Sequence, residues 1–359
     1  MAGHSHIKMW IISTLLLMSF VHPSLANVKK EAKYLILGAG AGGLHAARLL
    51  LAQNITDFII LEGTNQIGGR SERSVDFGGI TFNPGDMFVY GNIDYLQRLG
   101  FGLQKYDFAF WEVRNDQGED ITPEANTQDG ILYAAKEATN DLAEGVVKHE
   151  RPDIDQKTAM AMKGWLAKSP LDEIVQWYYF DFDQGIQMKR ESLVGTYRQS
   201  LQPDYYLITD YGDSGLFSDV EQQLDEDHLH LGEVVVKIDQ SGDKVTVTTG
   251  NTPSEEEEYV ADYVLVTFSL GVLQQGELTF IPPLPEWKTE QLCRYQRGTI
   301  EGVLLRFASK FWSDAEWILH ASDRQDVDYH HYPAFLNVDR EWMHPGSNIL
   351  VAILTGKKP

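Results

Sequence analysis

Cysteine, basic residues and long apolar runs are all scarce in this chain of 359 residues. A single cysteine, Cys293, excludes an internal disulfide. Lysine and arginine number 30 against 52 aspartates and glutamates, which gives a net charge of -22. Because such a charge repels phosphate backbones, it argues against nucleic-acid binding. With 31 glycines and 13 prolines the chain is also too poor in both for low complexity.

The one markedly apolar stretch lies near the N-terminus and is too short to span a bilayer. Residues 10–21 read WIISTLLLMSFV, whereas a membrane-spanning helix needs about 20 apolar residues. Lys8 precedes this stretch, and Ser24-Leu25-Ala26 places small residues where a signal peptidase reads them. We therefore predict a signal peptide over residues 1–26 and a secreted, extracellular protein with no stable membrane span. An uncleaved anchor is the alternative.

If the protein is secreted, the scarcity of cysteine bears on how the fold is stabilised. Oxidising compartments permit disulfides, and a chain of this length can bury a core large enough to do without them. We therefore predict that Cys293 is a buried core thiol rather than a reactive one. Asn54-Ile55-Thr56 is a glycosylation sequon, which predicts a surface loop in a secreted protein.

The sequence after the signal has the pattern of a βαβ unit. Apolar runs at 34–37 and 58–61 predict two buried parallel strands, and residues 44–53 have helical periodicity. Farther on, 125–183 is helical, with Ser169-Pro170 as a strong helix start. Strands return from about 233. This interruption predicts two domains built from interleaved segments.

The turn between the first strand and the helix carries a dinucleotide-binding pattern. Gly38, Gly40 and Gly43 form a G-x-G-x-x-G sequence, whose glycines permit a tight turn, close approach of a pyrophosphate and close helix–strand packing. Glu62 ends the second strand, where an acid accepts hydrogen bonds from an adenosine ribose and disfavours a 2′-phosphate. Arg70, in the turn Gly68-Gly69-Arg70, brings a guanidinium to the diphosphate.

Together these segments, LILGAGAGGLHAARLL and LEGTNQIGGR, resemble the flavin-containing amine oxidases. A later segment, YVLVTFSLGVLQQGELTFIPPLPEWK at 263–288, resembles the family's strand and the Leu-Gly-Val-Leu turn that closes the flavin domain. Three others are similar to the secreted polyamine oxidases in particular: VQWYYFDFDQ at 175–184, FASKFW at 307–312 and HPGSNILVAILTG at 344–356. An amino-acid oxidase of the same flavoprotein group is a weaker interpretation, because no segment identifies an arginine that would face a substrate carboxylate.

The resemblance implies an α/β fold in which a Rossmann-type FAD-binding domain, residues 30–124 and 213–283, is interleaved with an α+β substrate domain, residues 125–212 and 284–359. It implies FAD as the cofactor, and a small cationic amine and oxygen as partners. The implied reaction is oxidation of a spermine- or spermidine-like secondary amine. A hydride equivalent passes to flavin N5, the imine hydrolyses, and oxygen reoxidises the flavin to give peroxide. We expect no metal site.

The resemblance also assigns site residues. Contacts to FAD fall on Gly38, Gly40, Gly43, Glu62 and Arg70, on Gly85, Asp86, Met87 and Phe88 beside the isoalloxazine ring, and on the backbone of Val235 beside adenine. A plain buried strand residue is an equally good interpretation of Val235.

Three departures from the family pattern bear on activity. Gly302 stands where the family has a lysine near flavin N5. Phe88 and Tyr90 stand where the family has a tryptophan and then an acid or histidine that meets the substrate amine; Tyr90 can form a tunnel wall but supplies no carboxylate. The sequence ends at Pro359, before the family's last strand and helix. The alternative to an active oxidase is therefore a truncated or diverged relative that binds flavin or amine without turnover.

Overall fold

The computed structural model describes residues 30–71, 75–82, 88–90, 93–98, 100–105, 110–200, 205–210, 216–250, 256–322 and 334–355. Its strands, in chain order, are β1 Lys30–Leu37, β2 Phe58–Glu62, β3 Val75–Phe77, β4 Ile80–Phe82, β5 Phe88–Tyr90, β6 Gly102–Lys105, β7 Trp111–Asn115, β8 Tyr205–Asp210, β9 Leu229–Leu231, β10 Val235–Asp239, β11 Val245–Thr249, β12 Glu257–Val266, β13 Thr279–Ile281, β14 Ile300–Arg306, β15 Trp317–Ala321, β16 Ala334–Asn337 and β17 Ile349–Thr355.

Helices connect these strands and form a block in the middle of the chain. They are α1 Ala41–Ala52, α2 Asp94–Arg98, α3 Thr122–Lys148, α4 Gln156–Met162, α5 Pro170–Tyr179, α6 Asp181–Gln184, α7 Leu193–Ser200, α8 Ser218–Glu221, α9 Leu270–Gln275 and α10 Glu286–Arg294. In the ranges given above, no helix is both long and apolar enough to cross a membrane. The predicted signal peptide, residues 1–26, lies outside the described residues.

A seven-stranded sheet forms the first layer, in the order β13-β10-β11-β12-β1-β2-β9. Strands β12, β1, β2 and β9 are parallel neighbours. Strand β1 alternates between two apolar clusters: Ile36 packs with Leu44 of α1, whereas Leu35 and Leu37 pack on the opposite face. Because both faces are covered, this strand reads as a continuous apolar run, as a parallel strand should.

A five-stranded sheet, in the order β14-β17-β16-β15-β7, forms the second layer. Helices α3 and α5 pack against one face of it, where Leu132, Tyr178, Trp317 and Ile353 belong to one buried cluster. The chain enters each sheet in two separate stretches, and the predicted interleaved α/β architecture is confirmed. Strand β7 already pairs in the second sheet, so strand pairing changes sheets before Trp111, earlier than the predicted boundary at 124.

The prediction that Cys293 is a buried core thiol is wrong, because this residue is exposed. Cys293 lies on α10, a helix with no buried residue. The helix is rich in charged side chains, among them Glu286, Lys288 and Glu290. Ionised groups keep their favourable hydration only at the surface, so the helix lies there and takes the thiol with it.

Candidate functional site

Backbone geometry at the end of β1 requires two of the motif glycines. Gly38 has a φ of +104°, and a Cβ there would lie 2.9 Å from Thr267 Oγ1. A Cβ on Gly43 would lie 1.9 Å from the carbonyl oxygen of Gly38, which is closer than any real contact. These two positions therefore fix the tight turn and the close packing of α1 on β1, as the motif predicts.

Gly40, by contrast, faces open space. A Cβ on Gly40 would meet no atom within 4 Å. Gly40 is the N-cap of α1, no side chain caps this helix end, and the first turn carries no acid. The first N–H groups of a helix lack intrahelical partners, and the dipole places partial positive charge there. The uncapped end beside open space therefore fits a phosphate group.

Glu62 is oriented at the end of β2 by three hydrogen bonds. Its Oε2 accepts from the backbone N–H of Ala39 at 2.8 Å, and its Oε1 accepts from the N–H and hydroxyl of Thr64 at 2.9 and 2.8 Å. A carboxylate offers about four acceptor positions. At least one therefore remains for a ribose hydroxyl, next to the glycine turn.

The Gly68-Gly69-Arg70 turn lies against the glycine motif. Gly68 N–H donates to the carbonyl of Ala39 at 2.8 Å, and a Cβ on Gly69 would lie 3.4 Å from Gly40 Cα. Arg70 is exposed in a short 3-10 helix, Gly69–Ser71. In the ranges that the structure describes it forms no ion pair, so its guanidinium is available to a diphosphate.

Val235 begins β10 close to the ribose end of the site. The turn before β10 contacts the segment that carries Glu62. Glu233 N–H donates to the Glu62 carbonyl at 2.8 Å, and Gly232 N–H donates to the Thr64 carbonyl at 2.9 Å. Val235 itself is half-buried, pairs with Thr249 and packs against an apolar cluster. Its place is compatible with both the adenine contact and the plain strand residue predicted for it.

The second part of the predicted site lies at the edge of the five-stranded sheet. Gly302 is exposed on β14 opposite Ile353, and a Cβ there would lie 3.1 Å from Val351 Cγ1. Leu304 has the same orientation on the strand and packs against the core of the second layer. The side chain of Arg306, also on this face, covers Gly78: a Cβ added to Gly78 would lie 3.0 Å from the Cδ of Arg306. The face that carries Gly302 therefore looks towards the β3–β4 turn.

Aromatic rings connect Phe88 to this edge. Phe88 meets Phe182 edge to face, with ring centroids 6.2 Å apart, and Phe182 stacks on Trp177 at 5.6 Å. The indole N–H of Trp177 donates to Thr355 Oγ1 at 2.8 Å, and Thr355 pairs with Ile300, two residues before Gly302.

For four residues predicted to contact the flavin or the substrate, the structure describes no side-chain contact. Tyr90 lies on β5, where its backbone pairs with Tyr205. Gly85, Asp86 and Met87 lie outside the described residues. The structure thus brings the glycine turn, Glu62 and the Arg70 turn together, and separately links Phe88, through the aromatic row and Thr355, to the strand that carries Gly302.

Two features, one at the glycine turn and one elsewhere in the helical block, were not predicted. Thr267, at the end of β12, donates its hydroxyl to the carbonyls of Leu37 at 2.9 Å and Gly38 at 3.1 Å. Its position after a strand parallel to β1 is the signal that could have identified it. Glu191 is buried, and burial, together with nearby Asp181 and Asp183, raises its pKa to about 8. No local pattern marks Glu191, because only the fold gathers these carboxylates.

Comparison with known proteins agrees with this geometry. Residues 167–343 match the family model for flavin containing amine oxidoreductase, and residues 36–93 match that for an NAD(P)-binding Rossmann-like domain. Polyamine oxidase 7 of Oryza sativa subsp. japonica is 26% identical over 98% of this chain and 78% of its own length. Polyamine oxidase 1 of Zea mays is 26% identical over 94% of this chain and 72% of its own.

Solved structures share the fold. A structure of putrescine oxidase, described as wild type bound to putrescine, superposes with a TM-score of 0.67 at 15% identity, covering 92% of this chain and 76% of that one. At this identity the likeness concerns the arrangement of strands and helices alone.

Proposed function

This chain belongs to the flavin-containing amine oxidoreductase family, with FAD as its cofactor, and from that premise we propose that it is a secreted oxidase of polyamines. The polyamine oxidases among its relatives support the substrate class. The observation that carries the proposal is the uncapped N-terminus of α1 at Gly40, which has open space in front of it and lies beside the Glu62 carboxylate with its remaining acceptor position.

In this proposal, different residues around this opening bind different parts of the cofactor. The N–H groups at the start of α1 and the Arg70 guanidinium bind the diphosphate, and Glu62 accepts from the adenosine ribose. Val235 lies beside the adenine. A flavin held by these residues would supply the two-electron oxidation of a neutral amine to an imine that water hydrolyses, with dioxygen as the electron acceptor and hydrogen peroxide as the product.

On the substrate side, Phe88 and Tyr90 offer ring surface rather than a carboxylate. Phe88 ends the row of rings that runs to Trp177, and in this proposal Phe88 and Tyr90 contact the methylene segments of the amine. Neither side chain carries a negative charge, so an ammonium group near them is held by ring contacts.

Absorbance of the purified chain tests the proposal. We expect flavin bands, loss of those bands when spermine is added without oxygen, and their return with formation of peroxide when air is admitted. Heat-denatured protein with added free FAD is the control, and should not be bleached. A protein that neither carries nor binds FAD would contradict the cofactor site and the oxidase together.

A second candidate, binding of flavin and amine without turnover, is favoured by one observation: a glycine, Gly302, at the family's lysine position. It predicts that FAD is bound but that no polyamine bleaches it. Secretion is tested separately, because the mature protein from a secretory host should lack residues 1–26 by mass spectrometry.

A further inference from the structure

A separate cavity of about 190 Å³ lies in the helical part of the second layer. Helices α4, α5 and α6 enclose it together with a short 3-10 helix, Met188–Arg190. None of the residues predicted to bind FAD or the amine substrate lines it. Its volume corresponds to about six water molecules, which suits a small organic molecule of a few carbons.

Charges of both signs line this cavity, and they come from different elements. Glu173 on α5 and Asp181 on α6 provide carboxylates, whereas Lys157 on α4 and Lys189 on the 3-10 helix provide ammonium groups. Among the residues that the structure describes, Lys157 and Lys189 form no ion pair within 4.0 Å. The two lysines therefore line the cavity without contacting a carboxylate, although both lie near enough to Asp181 to favour its charged form.

Asp181 is the cavity carboxylate whose pKa is raised most clearly by burial. One of its oxygens, Oδ1, accepts from the backbone N–H of Met188 at 3.0 Å. Burial is the main reason that its pKa rises to about 6, and the Met188 N–H and the more distant charges of Lys157 and Lys189 oppose the rise, so it is still mostly ionised at neutral pH. A desolvated carboxylate without a contacting cation is costly, and an ammonium group in the cavity would offset that cost.

The remaining wall is apolar with one amide. Trp177 commits its indole N–H to Thr355 and so presents a carbon surface. Gln176 accepts from the indole N–H of Trp165 through Oε1 at 3.1 Å, which leaves its amide nitrogen to donate to a ligand. A few well-placed polar groups on an apolar wall are typical of small-molecule sites.

We propose that this cavity binds a small zwitterion of the ω-amino acid class, with its ammonium group at Asp181 and its carboxylate at Lys157 and Lys189. The methylene chain lies against Trp177. A dication would leave the two lysines unpaired and repelled, and a dianion would be repelled by Asp181 and Glu173, so the lining selects a molecule with one charge of each sign.

Isothermal titration of the purified full chain tests this proposal without any turnover. The probes are γ-aminobutyrate, butyrate, butylamine and putrescine, at a pH of about 7.5, where Asp181 is ionised. We expect one γ-aminobutyrate per chain with a Kd below about 1 mM, and at least about tenfold weaker binding of the other three. Equal binding of putrescine, or no heat with γ-aminobutyrate, would overturn the proposal.

Three variants locate the binding. Asp181→Asn keeps an oxygen for the Met188 N–H but loses the charge, and Lys189→Met keeps the length of the side chain; each should weaken γ-aminobutyrate by at least about fivefold. Lys148→Met, an exposed lysine at the end of α3, is the matched control and should bind as the parent does. Unchanged binding in both cavity variants would place the ligand elsewhere. The probe selectivity of the parent decides the matter if a variant does not fold.

Discussion

Two motif glycines that look alike in the sequence have opposite surroundings, and their alanine variants should separate folding from cofactor binding. A methyl group on Gly43 would meet the Gly38 carbonyl oxygen at 1.9 Å, so Gly43→Ala should destabilise the chain by about 3 kcal/mol or more. Gly40 has open space and a φ of -76°, so Gly40→Ala should unfold within about 1 kcal/mol of the parent.

Gly40→Ala should nevertheless bind FAD at least about tenfold more weakly, because the methyl group occupies the side from which the pyrophosphate approaches. Thermal unfolding without added FAD and titration with FAD measure the two effects. Unimpaired FAD binding by Gly40→Ala would show that the diphosphate lies somewhere else.

Gly302 offers a test of the family comparison at a single residue. Gly302→Lys places an ammonium group on the face of β14 that looks towards the β3–β4 turn, and its Cβ needs only a small adjustment of Val351, 3.1 Å away. We expect faster reoxidation of the reduced flavin by oxygen, measured by stopped-flow absorbance, because a positive charge stabilises negative charge developing on oxygen. Ile300→Lys, on the same face two residues away, is the control. Equal rates in the parent and Gly302→Lys would refute the assigned position.

Glu191 gives the stability a pH dependence whose sign follows from its surroundings. Burial is the largest cause of its raised pKa of about 8, and Asp181 and Asp183 add to it while Lys136 opposes it. One carboxylate oxygen, Oε1, has no hydrogen-bond partner. The folded chain therefore holds this proton more tightly than the unfolded chain, where the pKa is near 4.5. Stability is lost as the pH rises from about 4.5 through about 8.

Glu191→Gln removes this dependence, since a glutamine is neutral at every pH. At a pH of about 8.5 the variant should unfold a few degrees above the parent, and at about pH 4.5 the two should coincide. Scans of unfolding temperature against pH measure the difference. Glu221→Gln, an exposed acid on α8, should run parallel to the parent, and a Glu191→Gln profile parallel to the parent would contradict the buried charge.

At the scale of the element, α5 has a complete N-terminal cap. Ser169 accepts from the N–H of Asp172 at 3.2 Å, and Asp172 accepts in return from the Ser169 N–H at 3.1 Å. Ser169→Ala should cost about 1 kcal/mol of unfolding free energy in a denaturant titration. Ser309→Ala, in an exposed loop position, should cost far less. The helix start was predicted from Ser169-Pro170 alone, because capping depends on neighbours in the chain.

Sequence patterns predicted those elements whose causes are local. The strands around residues 34–37 and 58–61 follow from apolar runs that are buried on both faces. The glycine turn follows from residues that lack a side chain, and the start of α5 follows from its cap. The predicted burial of Cys293 is wrong, since the number of cysteines says nothing about whether the helix that carries one, here α10, packs on a core at all. Likewise the charges around the α4–α6 cavity come from four separate elements, and only the packing of these elements brings them together.

Over the whole molecule, the net charge of -22 sets an attractive field for a polycation. If the substrate is a polyamine, raising the salt concentration from about 0.02 to about 0.2 M should lower kcat/KM for spermine several-fold, because the Debye length contracts below about 10 Å. Benzylamine, with a single charge, should be affected much less where it is a substrate. Equal salt effects on both amines would argue that the net charge serves solubility alone.

Strand β1 pairs with β2, which follows it closely in the chain, and with β12, which follows about 230 residues later, as in the pair Lys30 and Tyr259. Thr267, which ties down the glycine turn, comes later still. During synthesis the first βαβ unit therefore leaves the ribosome with the edge of β1 that later pairs with β12 still unpaired. That edge stays open until β12, which ends at Val266, has been made, and it is the surface that a chaperone would have to shield.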